Sequence, residues 1–302
     1  MTSCCNVGAF AKLAIGGTRM DFIEYTPERF IKVLSDGSAR AIRGRLDHSA
    51  AAVGEGMLFV QFRISMYMSA LKNDVLLPIL GLTENPTDTF TLGDTLTPTT
   101  IILGPSGSKE QVYSDCYCGR WMVSGQKGTD PIRLDMWYTA KTWAEQDIGT
   151  FFTDANTPPL TEGYYYSFTN GSMNLLSATR YFNQFRMVMD YGLIEEFNNS
   201  ITATNICPTD HKLQVGTGVL YSTCDSNTDL FTIPMGGDVS GSAFTLNFNR
   251  ADVSKSTNFS VGNVKLIARP PRVVKGDFLR LPVNGEGFAL GTSPMLICQN
   301  VA

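Results

Sequence analysis

The residues with most chemistry to offer are the two histidines, the seven cysteines, a phosphate-loop-like run and an adjacent pair of glutamates. None sits at a spacing that performs chemistry. His48 and His211 lie far apart, neither has a companion at metal-ligand spacing, and no His-Glu-x-x-His pattern occurs. Cys116-Tyr-Cys118 is not C-x-x-C, and no second pair completes a zinc site. Alternate strand residues share a face, so these two thiols read as neighbours in a sheet. The run "GPSGSK" (104–109) has glycines out of step with the phosphate-loop pattern and is followed by Glu110, so it reads as a surface turn. No G-x-S-x-G elbow is present to activate a serine. Glu195 and Glu196, adjacent on a strand, face opposite sides and do not suit a cooperating acid and base. Asn170-Gly-Ser, Asn198-Asn-Ser and Asn258-Phe-Ser are nominal glycosylation sequons without secretory context. The chain is therefore read as a non-enzyme, with no cofactor and no metal.

The elements that would position such residues are mainly strands. In "GMLFVQFRISMYMS" (56–69), Leu58, Val60, Phe62, Ile64, Met66 and Met68 fall on one face, and Phe59, Gln61, Arg63, Ser65 and Tyr67 on the other. "IRLDMWYTAKTW" (132–143) and "AFTLNFNR" (243–250) alternate in the same way, and Tyr164, Tyr165, Tyr166 and Phe168 form a strand-like aromatic cluster. "SALKNDVLLPILGL" (69–82) instead places Leu71, Val75, Leu76, Ile79 and Leu80 at helical spacing. It predicts one helix ending at Gly81 and shortened or kinked by Pro78. Runs rich in turn residues at 83–100, 104–111 and 144–163 predict long loops, the last being the best boundary between two halves. "VQFRISM" (60–66) and "NQFRMVM" (183–189) share Gln-Phe-Arg, a short echo that fits either coincidence or a duplicated β unit.

Composition bounds the class. Of 302 residues, 43% are apolar, enough for a substantial core, while only 17% are charged against roughly 25% in ordinary soluble chains. The 28 glycines, with much Thr, Ser and Asn, suit a loop-rich β protein, whether its surface is covered by copies of itself or simply weakly charged. A net charge of −4 excludes a general basic footprint for nucleic acid. The odd cysteine count without a regular framework suits a reducing compartment. No signal peptide or membrane-spanning run is evident, so the chain is expected to be soluble and made in a cytoplasm.

Taken in order along the chain, these patterns resemble the tail tube proteins (major tail proteins) of long non-contractile-tailed, siphophage-type bacteriophages. "QFRMVMDYG" followed by "LIEEFNNSITATNICPTDHKLQVGTGVLYS" resembles their central part: a strand, a second strand, a small polar turn and a further alternating strand. "GMLFVQFRISMYMSALKNDVLLPILGL" is similar to the family's strand leading into a short Leu-rich helix, and "SDCYCGRWMVSGQKGTDPIRLDMWYTA" to its hairpin. The resemblance covers most of residues 25–250. It leaves 1–24 as an N-terminal arm and 251–302 as a C-terminal strand-rich segment, with two halves, about 25–143 and 164–302, as an open alternative.

The resemblance implies a mainly β fold: a β-sandwich or ring-forming barrel with a short flanking α-helix and long inter-subunit loops. It implies a structural virion protein, assembled in the host cytoplasm, whose stacked rings form a conduit for DNA ejection. Rings would be six-fold, or three-fold if the halves are a duplication. Tape-measure, tail terminator and distal tail proteins would be partners, DNA would pass the lumen without specific binding, and no membrane is involved. Gln61, Arg63, Ser65, Tyr67, Gln184 and Arg186 are then the lumen or barrel positions, or else the solvent side of two ordinary strands. Phe151, Phe152, Pro158, Pro159, Glu195 and Glu196 are the inter-ring or inter-subunit contacts, unless Phe151 and Phe152 fold into their own subunit. The rival readings are a tail terminator or capsid decoration protein, and a carbohydrate-binding sandwich prompted by Trp121, Trp137, Trp143 and Tyr164–Tyr166.

Overall fold

The structure, a computed structural model, describes residues 11–32, 35–36, 53–54, 58–104, 109–128, 131–149, 151–152, 164–175, 178–197, 202–221, 242–268, 279–289 and 293–302. The chain opens with β1 (Lys12–Ile15), β2 (Thr18–Met20), β3 (Glu24–Lys32) and two short pieces, β4 (Ser35–Asp36) and β5 (Val53–Gly54). β6 (Leu58–Tyr67) leads into the helix α1 (Ala70–Ile79), followed by β7 (Leu82–Glu84), β8 (Thr89–Leu92) and β9 (Thr99–Gly104). The long strands β10 (Lys109–Gln126) and β11 (Arg133–Asp147) pair along almost their whole length. Then come β12 (Gly171–Leu175), β13 (Ala178–Arg180), β14 (Phe182–Asp190) and a small ribbon of β15 (Ile194–Glu196) and β16 (Asn205–Cys207). β17 (Lys212–Tyr221), β18 (Ser242–Arg250), β19 (Lys255–Ala268), β20 (Leu279–Gly287) and β21 (Leu296–Val301) complete the chain. The fold is mainly β, with one α-helix among the described residues.

The large sheet is antiparallel throughout and follows the order β3-β6-β11-β10-β14-β17-β20-β19-β18-β12-β13. Two strands are long enough to serve two neighbours along one edge. β10 gives its first half to β9 and its second to β14, and β19 gives its first half to β21 and its second to β20. β9 carries the β1–β2 hairpin and β21 carries β8 and β7. The sheet rolls round its core like a barrel. Among the described residues, however, β3 and β13 each have one unpaired edge, so ladders do not complete the circuit. Side chains close it instead. Trp121 on β10 meets Phe259 on β19 with ring centroids 6.2 Å apart, and Phe185 on β14 meets Phe248 on β18 at 5.5 Å.

Alternation builds that core. Val60, Phe62, Ile64 and Met66 of β6, Leu134, Met136 and Tyr138 of β11, and Phe244, Leu246 and Phe248 of β18 are all buried. Each such side chain contributes about 1.5–3 kcal/mol on leaving water.

The helix departs from its apolar pattern. Ser69 caps it by accepting from the Lys72 amide (3.4 Å), and Pro78 sits in the last turn. Gly81 follows in a left-handed conformation (φ +85), and a Cβ there would lie 2.6 Å from Leu96 Cδ2 and 2.8 Å from the Tyr191 hydroxyl, so only glycine fits. Leu76 and Leu80 are buried as the periodicity requires, but Leu71, Val75 and Ile79 are only half-covered, and Leu77, Lys72 and Asn73, outside the predicted stripe, go inside. Partners in distant strands explain the shift. Lys72 pairs with Asp21 at 2.5 Å under the Tyr165 ring. Asn73 Nδ2 donates to Thr257 Oγ1 (2.9 Å), Thr257 donates to Asn300 Oδ1 (2.7 Å), and Asn300 Nδ2 donates to the Ala70 carbonyl (2.9 Å). This network, wholly inside, ties α1 to β19 and β21.

Other expectations are revised. The 83–100 stretch is not a free loop: β7 and β8 form a hairpin whose second strand pairs with β21. Tyr164–Ser167 make no strand ladder, and Phe168–Asn170 form a 3-10 turn. Residues 12–20 of the expected arm lie in the sheet, with Leu13, Ala14 and Ile15 fully buried. The sheet also runs across the 144–163 boundary, since β10 pairs with β14.

Candidate functional site

One face of β6, β11, β10 and β14 packs on the core, and the other carries polar side chains in cross-strand rows. Pairing places Tyr67, Arg133, Ser124 and Arg186 in one row, and Arg63, Trp137, Arg120 and Asp190 in another. Between them run Ser65, Asp135, Met122 and Val188. The six positions drawn from the two Gln-Phe-Arg strands thus fall on one face of one sheet, because directly paired residues share a face.

Charges on this face are mostly neutralised within the chain. Glu24 on β3 accepts from Arg63 (3.2 Å) and Arg133 (3.1 Å). Arg133 also donates from Nε to Asp135 (2.8 Å) and from Nη2 to Ser65 (2.8 Å), while Ser65 donates to Asp135. The Thr26 hydroxyl, joined by the Arg133 and Arg63 guanidiniums, holds the Glu24 carboxyl below its ordinary range against the opposing effect of desolvation. Arg63 thus finds its acid, Glu24, within its own chain.

Two of the six positions are not open. Ser65 is fully buried under Arg133 and Asp135. Gln61 donates to Glu195 Oε1 at 3.1 Å, so the β15–β16 ribbon lies over this end of β6. Burial pushes the Glu195 carboxyl up, opposed by the bond from Gln61 and by Arg29. Glu196, on the other side of β15, is exposed. Arg63 and Tyr67 remain part-exposed, and Gln184 and Arg186 exposed.

Tyr67, Gln184 and Arg186 line a cavity of about 520 Å³ with Ser124, Gln126, Arg133, Thr217 and Asn284. Gly216 on β17 leaves part of its wall bare backbone. Sequence reading found three of these residues but not the rest. The alternation of 132–143 already set Arg133 on a polar face. Nothing local signals that β10 lies between β11 and β14, and that pairing brings Arg133, Ser124 and Arg186 together.

The contact residues are corrected in part. Phe152 is buried against Ala14 and Ile102, with Phe151 half-covered beside it, so Phe152 folds into its own subunit and cannot anchor another ring. The cause is Glu110, fully buried, which accepts from the amides of Phe151 (2.9 Å) and Phe152 (3.1 Å) and from Gln146 (2.6 Å). Pro158 and Pro159 lie outside the described residues. So does His48, while His211 stands edge-on to Tyr191 at 5.2 Å. Cys116, Cys118 and Cys298 are free, buried thiols pushed well up by desolvation, and no group of three or more metal-ligating side chains occurs among the described residues. Of the aromatic rings singled out in the sequence, Trp121 and Tyr166 are core residues, Trp137 is half-buried and donates to Glu28 (2.7 Å) between Arg63 and Arg120, and Tyr164 is exposed.

The protein belongs to the class of mainly β chains built on one large rolled antiparallel sheet. No family model matches the chain, and no curated protein matches it either.

Proposed function

We propose that this protein is a structural virion protein of the tail-tube type, whose copies close into rings and stack into a conduit for DNA. The observation that carries the proposal is the sheet β3-β6-β11-β10-β14. One of its faces carries mostly polar side chains, exposed at Gln126, Gln184 and Arg186 and part-exposed at Arg63, Tyr67, Arg120 and Arg133, and the sheet ends in β3, nine residues long and unpaired on its outer edge among the described residues. A long free edge templates pairing with another chain, and closure across copies removes it. Pro27 and the irregularity between Pro27 and Arg29 interrupt that edge, which restricts pairing to the segments on either side. Ion pairs made within the subunit give the polar face little net charge, as suits a surface past which DNA slides.

Ring closure through a heterologous interface would be followed by stacking, with tape-measure, terminator and distal tail proteins as partners. Sedimentation velocity over a concentration series tests this. Stacking rings give a boundary that grows without limit as concentration rises. A single ring of fixed size points to a terminator, and a monomer at every concentration counts against both.

A further inference from the structure

We infer that the cavity beside Arg186 is a phosphate-binding site. Its lining contains two guanidiniums, Arg133 and Arg186, and no carboxylate. Glu24 and Asp135 beside the cavity offset Arg133, so the charge that stands out in this chain of net charge −4 is that of Arg186. Arg186 is exposed and forms no ion pair among the described residues. Arg133 is held by Asp135, Ser65 and Glu24 through Nε and Nη2. The two arginines flank Ser124 across one strand, so their backbones stand about 10 Å apart, twice the strand spacing, and long side chains can converge on one anion between them.

The rest of the lining supplies hydrogen bonds. Gln184 and Asn284 bring amides and Tyr67 and Ser124 bring hydroxyls, while the Thr217 hydroxyl donates to the Gln184 carbonyl (3.1 Å) and fixes that part of the wall. So many donors exceed what a carboxylate's two oxygens can use, whereas a phosphate presents more acceptor sites and suits the planar guanidinium fork. Gly216 keeps the wall low. A Cβ there would stand 3.2 Å from Asn284 Oδ1, so a side chain would intrude on the cavity. The site does not rest on the tail-tube reading. Its ligand is either a phosphodiester of a nucleic-acid backbone or a free phosphorylated small molecule.

Calorimetric titration of the full chain at low ionic strength, below the concentration at which it assembles, tests the assignment. Inorganic phosphate should bind saturably, and Arg186→Gln should weaken it about tenfold or more, as loss of a charge-assisted contact does. Lys212→Gln removes an exposed cation on β17 that does not line the cavity, and it should leave affinity unchanged. Tighter binding of a short single-stranded oligonucleotide than of phosphate would identify the backbone phosphodiester as the source, and the reverse order a free phosphorylated molecule. Absence of saturation, equal affinity for acetate, or equal losses in the two variants would overturn the assignment. Because Arg186 is exposed, an unchanged melting temperature separates lost binding from lost fold.

Discussion

Replacing Thr257 with valine should loosen the seat of α1 more than any comparable change of one atom. The hydroxyl accepts from Asn73, donates to Asn300 and lies 3.1 Å from the Tyr166 hydroxyl, and all four side chains are buried. Valine keeps the shape but leaves an amide N–H, an amide oxygen and a phenol short of a partner. Each orphaned buried group costs about 1–3 kcal/mol, and partial re-pairing brings the total to about 3–5 kcal/mol. At about 2–4 °C per kcal/mol for a large domain, melting should fall by about 6–20 °C. Thr257→Ser keeps the hydroxyl and loses one methyl, a change of about 1 kcal/mol. Urea unfolding followed by circular dichroism, with equal slopes required, measures both. If valine costs no more than serine, the network does not hold the helix.

Three further outcomes follow from the same structure. Glu110→Gln turns one acceptor oxygen into a donor facing the Phe151–Phe152 amides, so it should cost about 1–3 kcal/mol and open this segment to proteolysis; unaltered cleavage would contradict the account of Phe152. Glu195 has a raised pKa when folded, so its contribution is complete below its ordinary value of 4.5 and is lost as pH rises through the raised one. Glu195→Gln should therefore raise the melting temperature slightly at pH 7 and leave it unchanged at about pH 3.5 in a pH series, and a gain only at acid pH would reverse the sign. Gly81→Ala forces a left-handed residue against Leu96 and Tyr191 and should cost about 2–5 kcal/mol by denaturant titration.

Period-2 alternation made β6, β11, β14 and β18 legible, because their buried faces are continuous and purely apolar. The helix existed where the apolar spacing, Pro78 and Gly81 placed it, yet its buried face did not follow from periodicity. Lys72 and Asn73 enter the core only because Asp21, Thr257 and Asn300 arrive from strands far away in sequence. Phe151 and Phe152 misled for the same reason, since the acid that holds their amides lies 41 and 42 residues earlier. The cavity is legible only in pieces. Arg186 and Tyr67 stand on visible polar faces, but strand order across β10 is a long-range property that no window of sequence contains.

The most direct measurement is negative-stain electron microscopy of the purified, concentrated full chain at neutral pH. Hollow tubes or stacked rings, with a central hole and a fixed number of subunits end-on, are the predicted result. Single compact particles at every concentration tested, with no ring among them, would contradict the claim that copies of this sheet close around a lumen.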